Sequence, residues 1–399
     1  MQTAHLRDHG FQEARDEAGR IRAAFRACFS EEPALLVRSP GRVNLIGEHT
    51  DYNLGFALLG AVDRAIRFAA KPRRDRLCRL YSEDTGTSLT VDLTGLSRSR
   101  VHWANYLLGI ISEMTEDGIE VPGVDCVFGG NIPIGSGLSS SAALECGFAF
   151  ALNVLFDLKL SRAALAILGQ RAENRFVGVA CGVMDQFASV LGQKDRLICL
   201  DCRTLTFSCI PFDDRGVRLV LCDTQVRRSL AESEYNARRA QCGSGISVLA
   251  RVFPGVQSLR DATPDMIEEI RDLLSPEVYR RCRYVVGEIH RVLKACELLQ
   301  YGDMEGVGAL MNRTHEGLRD DYEVSCRELD ILAEEATRVP GVLGSRMMGA
   351  GFGGCTINLV RVAALDGFRE VMEKTFRDRL QRPPTLHLCR LTNGTTEET

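Results

Sequence analysis

The 399-residue sequence is poor in tryptophan (one), histidine (seven) and proline (twelve), and it has no excess of either charge sign. Lys and Arg total 49 against 53 Asp and Glu, a formal charge of −4, which argues against a nucleic-acid-binding surface as the main function. No uninterrupted apolar run approaches the roughly 18–20 residues of a membrane span. Residues 1–34 are polar with both charge signs, where a secretory leader has an apolar core. The expectation is therefore a cytoplasmic protein with neither nucleic acid nor membrane as a partner. A zinc pattern is missing too. Of fifteen cysteines only Cys199 and Cys202 form a C-x-x-C, without a second pair at zinc spacing. Most of the others sit singly in apolar runs, as Cys146 and Cys222 do, where a free thiol packs as a small hydrophobe. An odd number leaves at least one thiol unpaired, as in a reducing compartment. Internal repeats and long low-complexity linkers are absent.

What is present is the composition of a globular chain, 45% hydrophobic and 26% charged, and enough length for two domains with a core each. Its centre is the stretch from Ile132 to Glu145. The apolar run 124–128 reads as a strand, Gly129, Gly130 and Pro133 break it, and three serines open an apolar helix over 142–158. Strand, glycine loop and helix N-terminus together offer unpaired N–H groups and a partial positive charge to a phosphate. Gly135 and Gly137 allow close approach of the main chain, and serine hydroxyls suit phosphate or Mg²⁺. No lysine follows the glycines, so this is not the G-x-x-x-x-G-K-[ST] loop. A serine-capped core helix after a turn explains the stretch equally well on these residues alone.

Other stretches carry polar groups out of keeping with their surroundings. Glu48, His49, Asp51, Tyr52 and Asn53 crowd into six residues, a cluster suited to a polyhydroxylated ligand or to a polar turn. Asp185 stands in an apolar, glycine-rich segment at a helix start, as an N-cap or as a carboxylate beside a reacting hydroxyl. Glu173 lies in the last turn of a helix expected from Ser161 to about 176, where the helix dipole disfavours it. Trp103, opening a helix to about 114, faces either a purine pocket or the core. The glycine-rich loop 345–354 has four glycines in its last six residues, which points to close backbone packing rather than mere connection.

Further expectations are an amphipathic helix over 11–29 and a strand 35–37 that turns at Pro40-Gly41. Strands are expected at 65–70, 77–81 and 89–93, and a second sheet region at 197–200, 204–210 and 218–222. A capping box at 229–232 opens a helix weakened by Gly243-Ser244-Gly245. Helices fill 263–317 and 329–338, a strand spans 355–360, and the tail beyond Leu391 is loose.

Three of these stretches resemble the GHMP small-molecule kinase superfamily. Pro40-Gly41-Arg42-Val43-Asn44-Leu45-Ile46-Gly47-Glu48-His49-Thr50-Asp51-Tyr52-Asn53 is similar to the signature of its galactokinases, Gly135 to Ala142 to the superfamily's phosphate loop, and 345–354 to its third motif. Trp103 to Tyr106, Cys181 to Gln186 and Ser233 to Tyr235 match between these anchors, and the order holds from about 33 to 360.

The resemblance implies the two-domain α+β GHMP fold with mixed sheets, divided here at 1–205 and 206–399, and an active site in the cleft between domains. It implies transfer of the γ-phosphoryl of ATP, with Mg²⁺, to the anomeric hydroxyl of α-D-galactose, by a monomer or weak homodimer. By the same match Asp185 falls on the catalytic base and Arg42 on its charge partner. Glu48, His49, Asp51, Gly182 and Tyr235 fall on the sugar site. Gly135, Ser136, Gly137, Leu138, Ser139, Ser140 and Ser141 fall on the triphosphate, Trp103 near adenine and Arg227 near the reacting centre. Ser140 and Glu173 fall on Mg²⁺-associated positions. Two departures stand out: Met348 where members usually carry Thr, and Leu58-Leu59-Gly60-Ala61 where a proline is expected. A GHMP kinase for N-acetylgalactosamine or arabinose is the rival reading. A non-catalytic galactose/ATP sensor is disfavoured by the intact Ser140-Ser141-Ala142 and Asp185.

Overall fold

The computed structural model describes residues 2–133, 137–179, 181–226 and 231–398, with the side chains of 2–15 and 231–233 excepted. After helix α1 (Gln2–Phe29) come strands β1 (Leu35–Ile46), β2 (Phe56–Pro72), β3 (Leu77–Ser82) and β4 (Thr87–Asp92), helix α2 (Ala104–Glu116) and strand β5 (Val124–Gly130). Helices α3 (Ser140–Leu155), α4 (Arg162–Arg171) and α5 (Met184–Leu191) follow, then β6 (Arg196–Asp201) and β7 (Thr206–Pro211). The rest is β8 (Val217–Asp223), α6 (Ala231–Val252), α7 (Pro264–Glu269), α8 (Pro276–Gln300), α9 (Met304–Glu316), α10 (Arg327–Thr337), β9 (Val342–Met347), β10 (Cys355–Arg361), α11 (Leu365–Thr375), β11 (Leu386–Cys389) and β12 (Thr396–Glu397).

Two sheets result. The larger runs β12-β1-β2-β5-β3-β4, with β6 and β7 branching from β2. All its pairs are antiparallel except β3 with β5. The smaller runs β11-β8-β10-β9. Helix α3 shows why such sheets cover themselves: residues 142–152 are buried all round, because α2, α4, α5 and two strands surround it. Phe68, Phe148 and Leu107 meet in the largest core, and Ile21 and Phe25 of α1 pack on Leu36 and Val127 across another face.

Several expectations from local signals are overturned by tertiary contacts. Pro40-Gly41 does not turn the chain; it makes a bulge inside β1, where the register against β2 shifts between Pro40 and Arg42. The tail is not loose: Val37 and Arg38 pair with 396–397, and the buried Thr395 hydroxyl donates to the Ser189 carbonyl at 3.0 Å. Helix α6 runs unbroken through Gly243-Ser244-Gly245, because α8 packs so close that a Cβ on Gly245 would lie 2.2 Å from Cys282 Sγ. β6 and β7 extend the first sheet, and only β8 of that trio belongs to the second. The first three residues of the glycine-rich loop belong to strand β9, paired with β10.

Candidate active site

β1 delivers Arg42 to the first turn of α5, where Asp185 waits. Arg42 Nε donates to Asp185 Oδ1 at 2.6 Å and Nη2 to Oδ2 at 2.9 Å, a bidentate pair with the guanidinium almost wholly buried. Arg42 Nη1 donates to the Gly137 carbonyl, and the Ser139 hydroxyl donates to Asp185 Oδ2. Val183, not Asp185, holds the N-cap position of α5, so the carboxylate is turned to Arg42 rather than to the helix end. The backbone N–H of Arg42 also donates to the Leu138 carbonyl at 3.0 Å. The chain before α3 is thereby fastened to the sheet by one residue of β1. The Leu138 side chain is core, and Ser140 and Ser141 open α3 partly exposed.

The chain after β1 makes the second wall. Glu48 is buried and its Oε1 accepts from Arg346 Nη1 at 3.1 Å and from the Gly349 N–H at 2.8 Å. The glycine-rich segment after β9 is thus held against the turn that follows β1. His49 Nδ1 and the Tyr52 hydroxyl share a hydrogen bond at 2.9 Å, and the Tyr52 and Tyr322 hydroxyls another at 2.7 Å. The Tyr235 ring, from α6, lies 5.7 Å from that of His49 and 5.3 Å from that of Tyr52.

Asp51 faces Gly182 so closely that a Cβ there would stand 1.5 Å from Asp51 Oδ2, which leaves no residue but glycine. Its Oδ1 is buried without a hydrogen-bond partner among the described residues. Burial, together with the charges of Asp185 and Glu48, pushes this carboxyl up to about 6. A buried acceptor left open beside Glu48 and Asp185 is what a hydroxylated ligand completes.

Behind α3 lies a second group of carboxylates. A π turn closing α4 carries Glu173, and Gly178 ends it with positive φ. Gln186 Nε2 donates to Glu173 Oε2 at 2.8 Å and to Glu145 Oε2 at 3.3 Å. Glu173 is also hydrogen-bonded by Ser141. Burial and then the charge of Asp185 raise the Glu173 carboxyl, and burial and then the charge of Glu173 push Glu145 well above the carboxylate range. Of Glu145, Glu173 and Asp185, only Asp185 has an ion-pair partner among the described residues. Serine hydroxyls beside carboxylates short of positive charge form a donor set that fits a hard divalent cation.

Trp103 caps α2, with its ring edge-on to Phe128 at 5.1 Å and its indole N–H donating to Thr87 Oγ1 at 3.0 Å. Gly135, Ser136 and Arg227 lie outside the described residues, as do Ser229 and Leu230 of the capping box. Met348 is fully buried in the largest core, its N–H donating to the Cys355 carbonyl at 2.9 Å. In the 58–61 segment, Gly60 makes room for Leu391 and Ala61 packs on Gly192. Both departures are therefore filled by core packing. The close-packing reading of the glycine-rich loop agrees with Gly351 and Gly353, at positive φ against the carbonyls of Val324 and Val226.

Sequence reasoning missed Arg346, Gln186 and Glu145, and Tyr322 beside His49. A lone arginine in a segment of methionines and glycines was the available signal for Arg346. It is fully buried and also donates to the Leu45 carbonyl at 2.8 Å. The other residues reach the site from α3, α5 and the end of α9, which no local pattern foretells.

Comparison with known proteins yields three family matches: the galactokinase galactose-binding signature over residues 23–72, the GHMP kinases N terminal domain over 105–193 and the GHMP kinases C terminal over 292–378. The chain is 40% identical to a galactokinase of Roseiflexus sp. (strain RS-1) over 378 residues, covering 95% of this chain and 96% of that protein. It is 44% identical to a galactokinase of Homo sapiens over 351 residues, covering 86% and 88%. Its structure is similar to that of Lactococcus lactis galactokinase complexed with galactose, with TM-score 0.91, 35% identity and coverage of 95% and 99%. A Methanococcus jannaschii mevalonate kinase, at TM-score 0.62 and 19% identity, shares the fold.

Proposed function

The chain belongs to the galactokinases of the GHMP kinases, and from that premise we propose how its residues divide the phosphorylation of galactose between them. It is a kinase whose substrates are galactose and ATP. The observation that carries the division of labour is the Arg42–Asp185 pair. One guanidinium grips the carboxylate bidentately and the Gly137 carbonyl at once, joining the acidic wall to the loop before α3.

In this reading Glu48, His49, Asp51 and Tyr235 line the sugar, with Gly182 admitting it beside Asp51. Discrimination between epimers comes from buried acceptors that the wrong hydroxyl leaves unpaired, a matter of about 1–3 kcal/mol for each such group. The galactose O1 attacks the γ-phosphorus while the bond to the β–γ bridging oxygen breaks and ADP leaves. The O1 proton passes to the Asp185 carboxylate. Arg42 and Ser139 fix that carboxylate in line, so positioning and electrostatics carry much of the work. The loop 135–141 with the N-terminus of α3 receives the triphosphate, and Trp103 flanks the adenine. Bound at Ser140 and Glu173, Mg²⁺ supplies charge neutralisation of the phosphates. Gln186 and Ser141 hold Glu173 for that purpose. The described chain has no helix long and apolar enough to cross a membrane. The division at about residue 205 is likewise a proposal, with the sugar signature and phosphate loop on one side and the second glycine-rich loop on the other.

A coupled assay for ADP release with galactose, glucose and N-acetylgalactosamine, with and without Mg²⁺, tests the reading. Galactose alone should be turned over rapidly, and only with the cation. Preference for N-acetylgalactosamine, or turnover without Mg²⁺, would overturn it. Asp185→Ala should lose turnover by orders of magnitude while still binding ATP in calorimetry, and wild-type-like turnover would remove Asp185 from the mechanism.

A further inference from the structure

A cavity of about 510 Å³ opens between α7, α8, α9 and the turn that follows α9, and none of the sugar or phosphate residues named above lines it. Arg291 of α8 points into it. Its Nε donates to Glu288 Oε2 at 2.7 Å, while Nη1 and Nη2 have no hydrogen-bond partner among the described residues. The missing side chains of Gly287 and Gly317 leave the room: Cβ atoms there would approach Arg291 Nη1 to 3.1 Å and Nη2 to 3.7 Å. Arg313, exposed on α9, lines the same cavity and forms no ion pair among the described residues. The acidic lining groups are mostly engaged already, Asp321 with Arg283, Asp320 with Arg319 and Glu268 with the Tyr279 hydroxyl. What remains open are the two terminal nitrogens of Arg291, whose Nε is paired with Glu288, and the guanidinium of Arg313, against the Glu316 carboxylate. A planar fork with both terminal nitrogens open matches the oxygens of a carboxylate or phosphate.

The wall of this cavity also grips the sugar signature. Glu288 is fully buried; its Oε1 accepts from the Gly47 N–H at 2.8 Å, and its Oε2 from Arg291 and from the Thr314 hydroxyl at 2.8 Å. Tyr284, under the Arg291 guanidinium at 5.6 Å, donates its hydroxyl to the Glu48 carbonyl at 3.1 Å. Two consecutive residues of the signature therefore hang on side chains that Arg291 touches.

We propose that this cavity is an effector site for a small oxyanionic metabolite, a phosphate ester or a polycarboxylate. Arg291 and Arg313 hold the anion, and its binding weakens galactose affinity by drawing Arg291 away from Glu288. With Arg291 gone, Glu288 loses one of the three donors that fix its carboxylate, and as it shifts, the Gly47 N–H and the turn that presents Glu48 and His49 shift with it. The inference rests on the galactose-kinase reading, since the sugar site is its readout.

The test is calorimetric titration of galactose into the intact protein, without nucleotide, in the presence and absence of inorganic phosphate, glycerol 3-phosphate or citrate. A probe that fills the site should raise the galactose Kd about fivefold, the low end of coupling between distinct sites. Response to the phosphates but not to citrate assigns a phosphate ester, and the reverse a polycarboxylate. Arg313→Glu, on the surface and outside the sugar site, should bind galactose as the wild type does and lose the response. An unchanged galactose Kd at saturating levels of all three probes, or an equal response in Arg313→Glu, would overturn the effector site. Failure of the wild type to bind galactose without any probe would instead sink the sugar-site reading.

Discussion

Replacing Asp51 by Asn removes a charge that the folded protein tolerates only at a cost. The carboxyl is 7% exposed and lies in the field of Asp185 and Glu48, which with burial raises it from 3.8 to about 6. A carboxyl that is a weaker acid in the folded chain than in the unfolded one favours folding only while protonated. The penalty is absent below the unfolded value, grows as pH rises through the window from 3.8 to about 6, and is complete above it. That interval corresponds to about 3 kcal/mol lost at pH 8. At pH 5 about half of that remains, because the folded carboxyl is then mostly protonated while the unfolded one is mostly ionised. Asp51→Asn should therefore stabilise the ligand-free protein by about 1–3 kcal/mol at pH 8, a rise of roughly 2–5 °C in Tm for a chain this long. The gain should shrink by about half at pH 5. The same substitution should weaken galactose about 10- to 100-fold, since a hydrogen bond to a charged acceptor contributes about 1.5–3 kcal/mol. Scanning fluorimetry at the two pH values, with calorimetry of galactose, reads both effects. Loss of stability at pH 8, or a gain that does not change with pH, would refute the electrostatic account of Asp51.

The wild type should lose galactose affinity as pH falls below about 6, where Asp51 takes up a proton, and a galactose KM flat from pH 8 to 5 would contradict this. Gly182→Ala puts a methyl into the Asp51 carboxylate and should raise the galactose KM at least tenfold while sparing the ATP KM; equal damage to both would point to general misfolding. Arg346→Met leaves Glu48 buried without its partner and should cost about 3–5 kcal/mol in a denaturant melt, whereas a loss below about 1 kcal/mol would mean that Glu48 is held by the Gly349 N–H alone.

Much of the site was legible because it is built from contiguous runs. The stretch from Arg42 to Asn53 and the serines that open α3 each need a fixed local backbone, so their chemistry and spacing are written in adjacent letters. Residues that act on those runs from a distance were not legible. Gln186 bridges Glu173 and Glu145 across three helices, Arg346 crosses from β9 to Glu48, and Glu288 reaches Gly47 from α8.

The sequence by itself determined the elements, the charge balance, the two glycine-rich loops and the polar groups that chemistry requires, because periodicity, turn residues and capping act within a few residues of one another. Only the tertiary structure decided that Pro40-Gly41 bends a strand without ending it, that the last residues close the first sheet beside β1, and that α6 passes unbroken through two glycines. In each case a partner distant in sequence supplies hydrogen bonds or packing worth more than the local preference it overrides. Asp51 shows both: burial against Gly182 and the charge of the distant Asp185 come from the tertiary structure, while its neighbours Tyr52 and Glu48 also act on its acidity.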